Sequence, residues 1–153
     1  MRYVWFSLGF FVIHQVAYVV AGVINQRYTK DLYVGAAALY RPFMRDVSEA
    51  DEQRRQGRLM LPAQLVRAVA MSVVLYPILD AIGDLSFGIR AALLGGLMFV
   101  YADVASAIPF SNTIEGLVYL KPEYVTRDVF WRIQSEAVIY SVLFGVAAGW
   151  LLF

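Results

Sequence analysis

The sequence predicts an all-α integral membrane protein, a bundle of four transmembrane helices with short amphipathic interfacial helices on the cytoplasmic side. Three observations predict it. Of the 153 residues 60% are hydrophobic, against roughly 45–50% in an ordinary soluble domain. Only 16% are charged, and the mean hydropathy is +0.60. The apolar residues are also gathered into four stretches of about 20 residues or more, the length a helix needs to cross a bilayer. All four belong to a single membrane domain over residues 1–153.

The first span reads as residues 3–24. No Asp, Glu, Lys or Arg lies between Arg2 and Arg27, and 22 helical residues extend about 33 Å, enough for a bilayer core. A cleaved signal peptide is the weaker reading, because its apolar core runs only about 7–15 residues and more membrane sequence follows here. The second span, 59–79, carries one charge, Arg67, with Pro62 near its start and Pro77 near its end. Membrane helices tolerate proline where neighbouring groups re-satisfy the freed carbonyl, so the two prolines predict kinks. The third span, 87–108, has Arg90 and Asp103 near its ends and stops before Pro109; the fourth, 129–153, is uncharged for 17 residues after Glu136.

The connections set the expected orientation. Seven Lys and Arg residues fall between spans one and two and two between spans three and four, whereas the other side has Arg2 alone. Basic loops are retained in the cytoplasm. The expectation is therefore a multi-pass protein of a prokaryotic inner (plasma) membrane with both termini outside.

Within the first connection Leu32, Ala36, Leu39, Tyr40, Phe43, Met44 and Val47 recur at three- and four-residue steps, with Lys30, Arg41 and Arg45 off that stripe. This pattern predicts a basic helix lying in the headgroup layer, bent at Pro42. Ser48 and the acids Glu49, Asp51 and Glu52 then suit a helix start, so the second span is expected to begin as a helix in water. In the second connection Asn112 with Glu115 marks a helix start, the run 117–120 follows, and Pro122 ends it. Thr126 or Asp128 can cap the fourth span.

Lipid is as apolar as leucine, so these helices must associate through close packing and polar contacts, for which small residues four apart are the usual device. Gly88, Ala92 and Gly96 make such a row in span three, Ala17 and Ala21 in span one, and Gly145 and Gly149 in span four. They offer contacts within the chain, or a seam to a homo-oligomer or a partner membrane subunit.

Charges inside spans carry the functional expectation, since each costs on the order of 3 kcal/mol at a helix centre unless paired or hydrated. Arg67, Asp103, Arg132 and Glu136 fall in the cytoplasmic half, with Tyr101 and Gln134 at similar depth. They are expected to form either a buried polar network or a cavity open to the cytoplasm that binds a ligand. His14, with Tyr18 one turn on, is a mid-membrane polar residue that reads as a hydrogen-bonded packing group. On the outer side Asp80, Asp84 and Arg90 cluster near the turn.

Composition removes other classes. With no cysteine and one histidine, no thiolate or multi-imidazole metal centre is available, and no metal or cofactor is expected. Thirteen basic residues against twelve acidic ones do not make a nucleic-acid binder. The expected function is noncatalytic binding of a membrane lipid, ligand or partner. The alternatives are a small oligomeric transporter or channel component, or a membrane-embedded enzyme acting on a lipid at the inner leaflet, for which Asp103 and Glu136 are the only plausible carboxylate pair.

Overall fold

The computed structural model describes residues 1–45 and 48–153, and among these every regular element is helical. Helix α1 is Arg2–Tyr33, α2 Ala50–Leu75, α3 Leu79–Gly83, α4 Phe87–Phe99, α5 Ile114–Tyr119 and α6 Arg127–Leu151. A 3₁₀ turn over Tyr76–Ile78 joins α2 to α3, and a π-helical turn over Val100–Val104 extends α4. Four helical stretches are long and apolar enough to cross a membrane: Arg2–Tyr33, Ala50–Gly83, Phe87–Val104 and Arg127–Leu151. The 32 residues of α1 amount to about 48 Å, so its span continues well past Ile24. Pro62 sits inside α2 without ending it, whereas Pro77 lies in the 3₁₀ turn that breaks α2 from α3.

The tight helix contacts run α2 to α1, α1 to α6 and α6 to α4. Helices α2 and α4, separated in the chain only by the 3₁₀ turn and short α3, do not pack closely. The outward rows are apolar, as Val12, Val16, Val19 and Val23 of α1 and Val138, Val142 and Val146 of α6 illustrate. A core of Phe10, Ala17, Ala21, Ala68, Leu94, Met98, Phe144 and Ala148 fills the centre. The closest approach is between α6 and α4, where a Cβ on Gly145 would stand 2.5 Å from the Ala91 carbonyl and 2.8 Å from the Gly95 Cα. The small row used on α4 is thus Ala91 and Gly95. It is flanked by buried Leu94 and Met98, whereas Gly88 and Gly96 face open space.

The two connections meet at one end of the bundle, the loop end, opposite the 84–86 turn. The expected amphipathic helix over 32–47 is not formed. Leu32 and Tyr33 close α1, residues 34–45 make successive turns, and Val47 lies outside the described residues. Gly35 adopts a φ of +105°, a conformation that ends a helix and suits glycine. The Tyr40 amide then donates to the Leu32 carbonyl at 2.9 Å, folding the stretch back on α1. Leu32 and Tyr40 bury against Val129 and Ile133 of α6 and Leu39 packs beside them, so part of the apolar stripe is spent inside the protein, while Ala36, Phe43 and Met44 are exposed. The Tyr40 hydroxyl reaches Ser111 Oγ at 2.6 Å, tying the two connections together, and burial pushes its phenol above the ordinary value.

The starts of α2, α5 and α6 lie at or one residue past their sequence signals, with Glu49 at the start of α2 making no side-chain cap hydrogen bond. Helix α2 begins at Ala50, where Arg45 grips Glu52 with a 2.8 Å ion pair and Asp51 faces Arg54 at 3.8 Å. Thr113, one residue after Asn112, caps α5 by accepting from the Gly116 amide at 3.0 Å, and Thr126 caps α6 by accepting from the Val129 amide.

Candidate functional site

One face of α1 carries polar side chains at four- and seven-residue steps, Ser7, His14, Tyr18, Asn25 and Thr29, and that face turns inward. Nearest the 84–86 turn, Ser7 bonds to Ser72 Oγ at 2.7 Å and to the Tyr76 hydroxyl at 2.6 Å. Halfway along, His14 is fully buried. Its Nε2 lies 2.9 Å from Gln64 Oε1 and its Nδ1 2.6 Å from the Tyr140 hydroxyl. A carbonyl oxygen only accepts, so Nε2 carries a proton donated to Gln64, while Nδ1 shares a hydrogen bond with the Tyr140 hydroxyl, which also lies 3.4 Å from Met98 Sδ. Between these two layers the buried rings of Phe10 and Phe144 pack edge to face, 4.8 Å apart, so the Ser7 layer and the His14 layer are separated by apolar core.

On the loop side of His14 the four long helices enclose a cavity of about 240 Å³. Tyr18 and Ala21 of α1, Arg67 of α2, Ala102 and Asp103 of the π turn, and Glu136 and Tyr140 of α6 line it, with Phe110 and Asn112 from the second connection. The π turn matters locally. It is wider than an α turn, so it changes the angular position of Asp103 relative to an α-helical continuation of α4. Tyr101, two residues earlier, is 74% exposed and faces away.

Each acid is held at one oxygen by an amide. Asn112 Nδ2 donates to Asp103 Oδ1 at 2.6 Å, and Asn25 Nδ2 donates to Glu136 Oε2 at 3.2 Å. Such charge-assisted bonds position a carboxylate and support its charge. Among the described residues the second oxygen of each acid accepts no hydrogen bond from the protein. Arg67 pairs with neither acid there; it makes a long 3.4 Å bond to the Ala102 carbonyl and is itself exposed. It therefore stands at the mouth of the cavity, on the side where α2 and α4 are not packed together.

Of the residues singled out in the sequence, Arg67, Asp103, Glu136, His14 and Tyr18 converge on this cavity. Arg132 does not. It spans from α6 to the end of α1, pairing with Asp31 and with Asp128 at 3.2 Å. Gln134 is buried outside the cavity and its Oε1 has no hydrogen-bond partner among the described residues. The outer charges also separate: Arg2 pairs with Asp80 at 2.6 Å, while Arg90 donates to the Gly83 carbonyl and lies over the Phe153 ring.

Asn25, Asn112, Gln64 and Tyr140 belong to the site but were not singled out. Asn25 could have been found, because it continues the Ser7, His14, Tyr18 spacing beyond the point where the hydropathy of α1 falls. Asn112 and Tyr140 carry no such signal, since a helix-start residue and an aromatic in an apolar run have commoner roles.

No group of three or more metal-ligating side chains occurs among the described residues. The chain matches no family model, no characterised protein and no solved structure.

Proposed function

We propose that the chain is a noncatalytic multi-pass membrane protein that holds the headgroup of a membrane lipid in the cavity beside Arg67. The observation that carries this reading is the cavity's position: a polar recess with a cation at its mouth, between two helices that leave a lateral gap. A recess reached sideways suits a ligand that arrives within the bilayer. Its volume, about 240 Å³, falls short of the roughly 300–1,000 Å³ of pockets that enclose a whole drug-sized ligand, which fits a headgroup whose acyl chains stay outside. The Phe10–Phe144 pair opposes a through-going water path, so the transport reading is the weaker one. Native mass spectrometry of protein extracted with its own lipid tests the proposal. A single lipid adduct should survive activation, and Arg67→Gln, an exposed change, should reduce it roughly tenfold, as expected for a lost charged hydrogen bond. Absence of any retained lipid, or equal retention in Arg67→Gln, would reject it.

The proposed setting is a prokaryotic plasma membrane, and the nine-to-one distribution of basic residues over the two faces supports an orientation with the two basic connections in the cytoplasm and both termini outside. The exposed apolar side chains of α5, Ile114, Leu117, Val118 and Tyr119, would then lie in the inner headgroup layer. The chain has no cysteine, so single cysteines report without background. In intact cells an impermeant thiol reagent should label Ser86→Cys and leave Ser48→Cys and Val118→Cys unlabelled; the reverse pattern would invert the orientation.

A further inference from the structure

We infer that the headgroup is zwitterionic and enters amine first, with its ammonium between Asp103 and Glu136 and its phosphate at Arg67. This rests on the cavity being a lipid site, as proposed above, and adds the class of lipid and the sense in which it docks.

The charge balance of the site decides it. Had Arg132 joined Arg67, Asp103 and Glu136, the layer would hold two positive and two negative groups, and an anion facing two arginines would be the natural ligand. Arg132 is instead committed to Asp31 and Asp128. Among the described residues the cavity is left with one cation and two carboxylates, and a purely anionic headgroup would be driven against both acids. The charges are also ordered in space. Arg67 is the exposed one, at the mouth. The acids are deeper, each anchored at one oxygen by Asn112 or Asn25 and each leaving its second oxygen without a donor among the described residues. A primary ammonium supplies the N–H donors those oxygens lack, and a quaternary one supplies the positive charge alone. The walls around them are aromatic, with Tyr18, Tyr33, Phe110 and Tyr140 all lining the cavity, and aromatic faces attract ammonium groups, primary or quaternary. Cation outside and acids inside is the reverse of a phosphatidyl headgroup's own order, phosphate near the chains and amine at the tip, so the two sequences are complementary.

The test is competitive lipid retention. The full-length protein is reconstituted in nanodiscs containing equal parts phosphatidylethanolamine, phosphatidylcholine and phosphatidylglycerol, then released and read by native mass spectrometry. The two amine lipids should be enriched over phosphatidylglycerol by about tenfold. Asp103→Asn combined with Glu136→Gln should erase that preference, whereas Arg67→Gln should lower retention of all three together. The wild-type preference alone decides the matter if the double variant does not fold. In parallel, soluble O-phosphoethanolamine is added to lipid-free protein in detergent. A rise in Tm there without enrichment of either amine lipid would uphold the zwitterion chemistry but assign the ligand to solution. Phosphatidylglycerol retained as well as the amine lipids, with no response to phosphoethanolamine, would overturn the inference while leaving the cavity a lipid site. Retention of no lipid at all, with no such response, would overturn both.

Discussion

Gly145→Leu is expected to be among the most damaging single substitutions in the chain, lowering stability by about 3 kcal/mol or more. The reason is backbone against backbone. A Cβ at this position would meet the Ala91 carbonyl at 2.5 Å and the Gly95 Cα and N at 2.8 Å, and no side-chain rotation relieves a clash with main-chain atoms. Helices α4 and α6 would have to separate, which exposes Leu94 and Phe144 and gives up the dispersion contacts that hold membrane helices together in the absence of a hydrophobic drive. Gly149→Ala should cost less, because its nearest neighbours stand at 3.1 Å. Gly96→Ala and Gly88→Ala face open space and should stay within about 0.5 kcal/mol of the parent. Thermal unfolding in mild detergent measures the series, with a fall in Tm on the order of 10 °C expected for Gly145→Leu. Gly145→Leu melting with the parent, or Gly96→Ala melting far below it, would mean that the α4–α6 contact uses the other small row.

The number and placement of the long helices were legible in the sequence because hydropathy over about 20 residues is a one-dimensional property. The ends of those helices were less so. Asn25 and Thr29 extend α1 past the apolar stretch because each finds a partner inside the protein: Asn25 reaches α6, and Thr29 Oγ1 bonds back to the Asn25 carbonyl. Hydropathy counts such residues as polar wherever they point. The 32–47 stripe misled for a related reason. Three- and four-residue spacing says that apolar side chains can share a face, but not whether lipid or α6 covers them, and Gly35 together with the Tyr40 amide bond turned that stretch inward. Choosing between the Gly88 and Ala91 rows of α4 likewise depended on how the helix is rotated. Rotation is set by Leu94 and Met98 against their neighbours, a tertiary fact. The cavity was half legible: the cost of charge in a membrane singled out Arg67, Asp103 and Glu136, but the same rule could not tell that Arg132 is diverted to Asp31.

Asn25→Leu is expected to cost about 3–5 kcal/mol, although it replaces a polar residue by an apolar one inside a membrane-length helix. Asn25 is only 1% exposed and serves three partners on α6. Its Nδ2 donates to the Arg132 carbonyl at 2.9 Å and to Glu136, and its Oδ1 accepts from the Ser135 hydroxyl at 2.7 Å. Leucine strands the Glu136 oxygen, and a carboxylate that loses its donor in a poorly hydrated site carries the full desolvation penalty. Removing Glu136 as well removes that penalty, so a double-mutant cycle of Asn25→Leu with Glu136→Leu should show coupling of roughly 1–3 kcal/mol. The corresponding cycle of Arg67→Leu with Glu136→Leu should show under about 1 kcal/mol, because Arg67 sits at the mouth and forms no ion pair with Glu136 among the described residues. The contrast between the two cycles, measured by denaturant unfolding in the same detergent, distinguishes an open site from a closed one. If Arg67 proved the more strongly coupled partner, the two charges would be bonded to each other, the recess between them would be filled by the protein itself, and no headgroup could lie there.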